Sequence, residues 1–172
     1  MADSPRVYVL MGSDSDLPVM EPCLATLAKF DVPYEAKVCS AHRTPDEAAA
    51  LSRGARERGV QVIIAAAAGA AHLAGVLAAH TTLPVIGVPL DATPLHGADA
   101  LYATVQMPPG VPVATVAIGA FGAYNAAVLA VQIMALSEER LQRKLEEFKK
   151  DMVVKVREKN EQLQSKLKRP AP

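Results

Sequence analysis

The hexapeptide SAHRTP, Ser40 through Pro45, sets a histidine beside an arginine directly after the apolar-leaning run YEAKVC at residues 34–39. Arginine offers a rigid fork of N–H donors that matches phosphate oxygens. Imidazole takes up or releases a proton near neutral pH, which suits it to general acid–base work. Thr44-Pro45-Asp46-Glu47 combines a capping-box pattern with proline at the first helical position, so a helix is expected to start there and to favour an anion at its end. A lone histidine is more often satisfied by backbone groups. With a serine, an arginine and a capped helix around it, His42 reads instead as a proton-transferring residue at the end of a buried strand, facing a pocket.

Gly12-Ser13-Asp14-Ser15-Asp16 follows the run VYVLM at residues 7–11 and opens a second helical stretch. Ser13 and Ser15 are suited to donate to phosphate, whereas an aspartate repels it, so Asp16 is better placed to accept from sugar hydroxyls. Alone, this loop reads as a helix cap made by Ser15 or Asp16, because neither GxxxxGK nor GxGxxG is present. The loop at residues 65–75 carries little beyond methyl groups and His72. Such a loop lets backbone approach a ligand closely and shields a small reactant from water, although ordinary helix–sheet packing fits its composition equally well. Of the remaining histidines, His80 and His96 read as structural or surface residues. His72 reads the same way from its type, but it alone lies near the pocket and joins Gly69 and Ala70 as a candidate ligand contact. The histidines show no metal-ligand spacing.

These loops need elements to position them. Five runs, at residues 7–11, 34–39, 60–67, 84–89 and 113–118, are mostly continuous apolar stretches, as expected of parallel strands covered on both faces. Helix-like stretches separate them: Leu17, Met20, Leu24, Leu27 and Phe30 recur at helical spacing, with Pro22 expected to kink that helix or delay its start. The alternation predicts an open, doubly wound α/β sheet of five strands, whose ligands bind at the carboxyl ends. MGSDSD, SAHRTP, AAAGAAH and GVPLDA then fall one after each of the first four strands, converging on one pocket.

The chain has 172 residues, long enough for one compact domain, and 18 Lys plus Arg balance 18 Asp plus Glu. That balance gives no general positive field of the kind that draws a protein onto nucleic acid or a membrane surface, so a small-molecule ligand or protein partner is expected. Cys23 and Cys39 read as reduced core residues of a cytoplasmic protein, and the amino terminus lacks a signal-peptide pattern. Residues 62–79 approach a membrane span in length, but their alanines and the breaks at Gly69 and Gly75 favour a buried strand, loop and helix. Residues 137–168 turn charge-rich with an apolar stripe of Leu141, Leu145, Phe148, Met152, Val156, Leu163 and Leu167. A helix of that length outruns a five-stranded core, and residues 126–136 are apolar nearly all round, so a homo-oligomer is expected. The domain reading is a core at residues 1–136 with a helical extension at residues 137–172. Physical chemistry reaches a binder or enzyme for a phosphorylated, sugar-like ligand.

The stretches MGSDSDLPVM, VCSAHRTPDE, VIIAAAAGAAHLAG, LPVIGVP, VQMPPGVPVATVAIG and GAYNAAVLA, in order and covering the chain to about Leu136, resemble the 5-(carboxyamino)imidazole ribonucleotide mutases of purine biosynthesis. The resemblance implies a flavodoxin-like three-layer αβα sandwich with a long C-terminal helix, assembled as an octamer. It implies transfer of a carboxylate from the exocyclic nitrogen to a ring carbon of an aminoimidazole ribonucleotide without ATP, metal or organic cofactor. By position it also implies that Ser13, Asp16 and Arg43 bind the ribonucleotide, that Ser40 lines the same site and that His42 carries the proton. The family's third loop usually has the form AGAGGAAHLPG, so Ala66 and Ala68 stand here for two glycines and Ala74 for the proline. The retained AAHLAG form favours the mutase over the animal-type enzymes that carboxylate aminoimidazole ribonucleotide with free carbon dioxide. A non-catalytic nucleotide-binding module is the remaining alternative.

Overall fold

Apolar strands need cover on both faces, and this chain supplies it by alternating strand with helix. The computed structural model describes residues 4–167. Strands β1 (Val7–Met11), β2 (Tyr34–Val38), β3 (Val62–Ala68), β4 (Val85–Leu90) and β5 (Ala114–Thr115) form one parallel sheet in the order β2-β1-β3-β4-β5. Helices α1 (Leu17–Lys29), α2 (Pro45–Gly54), α3 (Leu73–Ala79) and α4 (Ala98–Val105) connect them, and α5 (Ala120–Ala135) and α6 (Glu139–Leu167) follow. This is the flavodoxin-like order, with its topological switch between β1 and β3. Right-handed crossovers place α1 on one face and α2, α3 and α4 on the other.

The sheet's centre is its most deeply buried part. Every residue of β1 and β4 is buried, and Tyr8, Leu10, Ile63 and Ala65 pack with Leu73 and Leu77 of α3. Each fully buried large aliphatic side chain contributes roughly 1.5–3 kcal/mol. The edges differ from the expectation of cover on both faces. β2 alternates exposed and half-buried residues because β1 is its sole neighbour in the sheet. β5 keeps two paired residues of the expected six, and the chemistry of β4 explains why. Continuing the register Gly87↔Thr115 would bring Pro89, which has no N–H, opposite residue 117, so the ladder lacks a donor there.

Helix α1 runs through Pro22 instead of starting after it, with Pro18 in its first turn. Its buried face is Met20, Cys23, Leu27 and Phe30; Leu17 is exposed. Both cysteines are free and buried, and burial pushes the Cys23 thiol up to about 12. Helix α2 starts at Pro45 as expected, but the capping box does not form: Thr44 makes no side-chain cap bond. Its hydroxyl is engaged with the backbone of Ser40 instead.

The chain divides into two compact units, Met1–Met134 and Ala135–Pro172. In the second, α6 is opened by an Arg143–Glu139 pair at 2.7 Å and carries buried Leu141 and Phe148. Residues 149–167 are all exposed. Among the described residues no helix is long and apolar enough to cross a membrane.

Candidate active site

The ladder runs one residue past the strand ends: Gly12 N–H donates to Ala66 O at 3.0 Å and Cys39 N–H to Met11 O at 2.7 Å. Three loops are thereby delivered side by side around a cavity of about 240 Å³. The first contributes Gly12, Ser13, Ser15 and Asp16, the second Ser40, Ala41, His42 and Arg43, and the third Ala67, Ala68, Ala71, His72 and Leu73. From the fourth comes Ala92 alone.

The first loop forms a capping box the sequence reading did not assign to it. Asp16 Oδ2 accepts the Ser13 N–H at 3.0 Å, while Ser13 Oγ accepts the Ser15 N–H at 3.3 Å. Ser15 Oγ also donates to Ser13 Oγ at 2.8 Å, so the two hydroxyls hold each other in place. Asp16 therefore both shapes the turn and lines the cavity. Burial raises its carboxyl above the ordinary range, the backbone N–H groups of Ser13 and Gly12 pull the other way, and Asp14 adds a further upward push.

The second loop is cross-braced by its own polar atoms. Thr44 N–H donates to Ser40 O at 2.9 Å, Ser40 N–H to Thr44 Oγ1 at 3.1 Å and Arg43 N–H to Ser40 Oγ at 3.2 Å. Arg43 Nη2 reaches Gly12 O at 3.1 Å and ties this loop to the first. His42 projects from this short braced turn, not from the end of a buried strand, since β2 is an exposed edge. Its Nε2 lies 2.7 Å from His72 Nδ1, with the rings edge to face at 4.9 Å between centroids. One ring donates and the other accepts, so the contact holds a proton between two bases and is lost if both nitrogens are protonated.

The third loop departs from the expected contacts. Gly69 and Ala70 do not line the cavity; Ala67, Ala68 and Ala71 do. Gly69 and Ala71 have φ of 62° and 40°, so this stretch turns through the left-handed region, and glycine at 69 serves the turn. Of the three alanines that depart from the family pattern, Ala66 and Ala74 are buried in β3 and α3, and Ala68 alone meets the cavity. Ala41, Ala67, Ala71, Leu73 and Ala92 were not picked out from sequence individually, since small apolar side chains carry no chemical signal beyond their concentration in these loops.

The model of the AIR carboxylase family matches residues 6–155. The chain belongs to that family. It is 54% identical over 148 residues to the N5-carboxyaminoimidazole ribonucleotide mutase of Pyrococcus abyssi, covering 86% of this chain and 84% of that one. The mutase of the same name from Bacillus subtilis is 52% identical over 159 residues, covering 92% and 98%. The crystal structure of Treponema denticola PurE superposes with a TM-score of 0.83 at 27% identity, covering 96% of this chain and 99% of that one. As a member of this family the protein has the flavodoxin-like fold of its relatives, and their names bear on the cavity just described.

Proposed function

We propose that this chain is an isomerase that converts 5-(carboxyamino)imidazole ribonucleotide to 4-carboxy-5-aminoimidazole ribonucleotide in IMP synthesis, with His42 as the general acid and base. The observation that carries the reading is the His42–His72 pair at 2.7 Å on the wall of a cavity that also presents Ser13, Asp16 and Arg43. A proton carrier thus stands among groups suited to a ribose phosphate.

In this reading Ser13, Ser15, Ser40 and Arg43 hold the phosphate end, and Asp16 accepts from ribose hydroxyls. His42 gives a proton to the exocyclic nitrogen as the bond to the carboxylate carbon breaks, and the bonding electrons stay on nitrogen. Carbon dioxide is released into a cavity walled by alanines, where it remains beside the ring. The ring carbon attacks it, and His42 recovers the proton from that carbon, restoring aromaticity and its own starting state. Retention replaces a bimolecular encounter by a positioned one, for which effective molarities of about 10⁵–10⁸ M are known. The chemistry calls for no cofactor. We further infer a cytoplasmic homo-octamer: two free buried cysteines support the compartment, the exposed apolar side chains of α6 support association in general, and the count of eight rests on the family resemblance alone.

The test is an ultraviolet assay on freshly made 5-(carboxyamino)imidazole ribonucleotide in bicarbonate-depleted buffer. Formation of the 4-carboxy product faster than the spontaneous background is expected. Product formed only from aminoimidazole ribonucleotide with added bicarbonate would make the protein a carboxylase, and no turnover of either would leave a binding module.

A further inference from the structure

Helices α2 and α3 pack together, and both lead away from the cavity: α2 follows the His42 turn and ends at Gly54, and α3 follows His72 and ends at Ala79. Beyond their far ends, where the chain turns back into β3 and β4, lies an open cleft of about 520 Å³. Arg53, Arg56, Glu57, His80, Thr81 and Thr82 line it, together with Ala79. Arg53 Nη2 stands 3.4 Å from His80 Nδ1, and Arg56 Nη2 donates to Thr82 Oγ1 at 3.0 Å. Guanidinium has no acceptor, so His80 Nδ1 must be the accepting, unprotonated nitrogen. Among the described residues neither arginine pairs with a carboxylate, and Glu57 on the same wall bonds to neither.

A helix C-terminus favours a nearby cation, which accounts for one arginine at the end of α2. It does not account for two guanidiniums held on neutral acceptors along one cleft that two threonines also line. Two fixed forks match a tetrahedral dianion with several acceptor oxygens. We propose that this cleft is a second, non-catalytic binding site for a phosphate group, held by Arg53 and Arg56 and completed by Thr81 and Thr82. It lies at the amino ends of β3 and β4, whereas the cavity of His42 lies at the carboxyl ends.

The experiment is calorimetric titration of inorganic phosphate into the full chain and three variants. The wild type is expected to bind two phosphates per chain. Arg53→Gln with Arg56→Gln should weaken one of them by about tenfold or more, the loss of one or two charge-assisted bonds, while turnover stays unchanged. Arg43→Gln should weaken the other and leave the cleft alone. The charge-keeping pair Arg53→Lys with Arg56→Lys is expected to retain a measurable part of the affinity, which separates loss of the ligand from loss of the fold. A single phosphate removed by Arg43→Gln and indifferent to both double substitutions overturns the proposal. Adenosine monophosphate titrated in parallel identifies the source: tighter binding than phosphate at the Arg53 site marks an organic phosphate, and equal binding marks free phosphate.

Discussion

At the residue scale the cavity contains two groups whose environments set them apart. His42 is held by a braced turn and shares one hydrogen bond with His72, so replacing it should disturb chemistry more than binding. His42→Asn is expected to lower kcat by about 10²–10⁴-fold, the usual worth of a positioned acid–base group. Substrate affinity, measured by calorimetry on the variant, should change little; a kcat near the wild type's would remove His42 from the proton path. Asp16 bears on stability instead. Its folded-state carboxyl titrates higher than in the unfolded chain because it is buried, so the ionised form destabilises the fold at neutral pH. That cost is fully present above the folded value and disappears as pH falls below the ordinary carboxylate range, where both states are protonated. Asp16→Asn keeps an oxygen for the Ser13 N–H and should therefore melt higher than the wild type at pH 7 while binding substrate less well. The gap in Tm should close as the pH is lowered toward 3. A gap that widened on acidification would mean that Asp16 stabilises the fold as an anion.

At the element scale the site depends on how α2 and α3 are fastened to each other. Ser52 Oγ, fully buried, donates to Leu77 O at 2.7 Å and so ties the later part of α2 to α3. Leu77 O also receives the His80 N–H, so Ser52→Ala does not leave that carbonyl bare. The expected cost is about 1 kcal/mol, read as a lower urea midpoint with an unchanged slope. Gly122 makes a sharper case. A Cβ there would run into the carbonyl oxygen of Ala117, a backbone atom that cannot rotate away, whereas a Cβ at Gly54 meets nothing within 4 Å. Gly122→Ala should destabilise by about 1–3 kcal/mol or more, and Gly54→Ala in α2 should be neutral or stabilise by about 0.5–1 kcal/mol, both by denaturation. Much of this scale could be read from sequence, since the apolar runs placed all five strands and the loops after them. What escaped depended on neighbours. The exposure of β2 follows from its place at the sheet edge, β5 is cut short by a proline in another strand, and the Thr44 capping pattern was taken over by Ser40. His72 is marked in the sequence only by its nearness to the pocket, because the contact with His42 joins positions thirty apart in the chain. Gly69 takes a left-handed turn, a backbone requirement that composition alone does not reveal.

At the scale of the whole molecule, one element carries more apolar surface than its own unit covers. Helix α6 has 29 residues, and of its apolar stripe Leu141 and Phe148 are buried while Met152, Val156, Leu163 and Leu167 are 37%, 67%, 51% and 69% exposed. In proteins most of a helix's stability comes from packing an apolar face. Exposed positions 152, 156, 163 and 167 recur at spacings of four, seven and four, so they lie along one side of the helix, with Val153 beside them. A second copy of the chain is the cover that the homo-oligomer reading supplies. Deleting residues 138–172 is therefore expected to lower the particle mass measured by light scattering, with the remaining core still folded by circular dichroism. A milder version, Val156→Lys with Leu163→Lys, places two charges on that side without shortening the chain and should shift the mass in the same direction as the protein is diluted. An unchanged mass in both variants would mean that α6 does not join copies of this chain, and its exposed stripe would then have to be covered by something else.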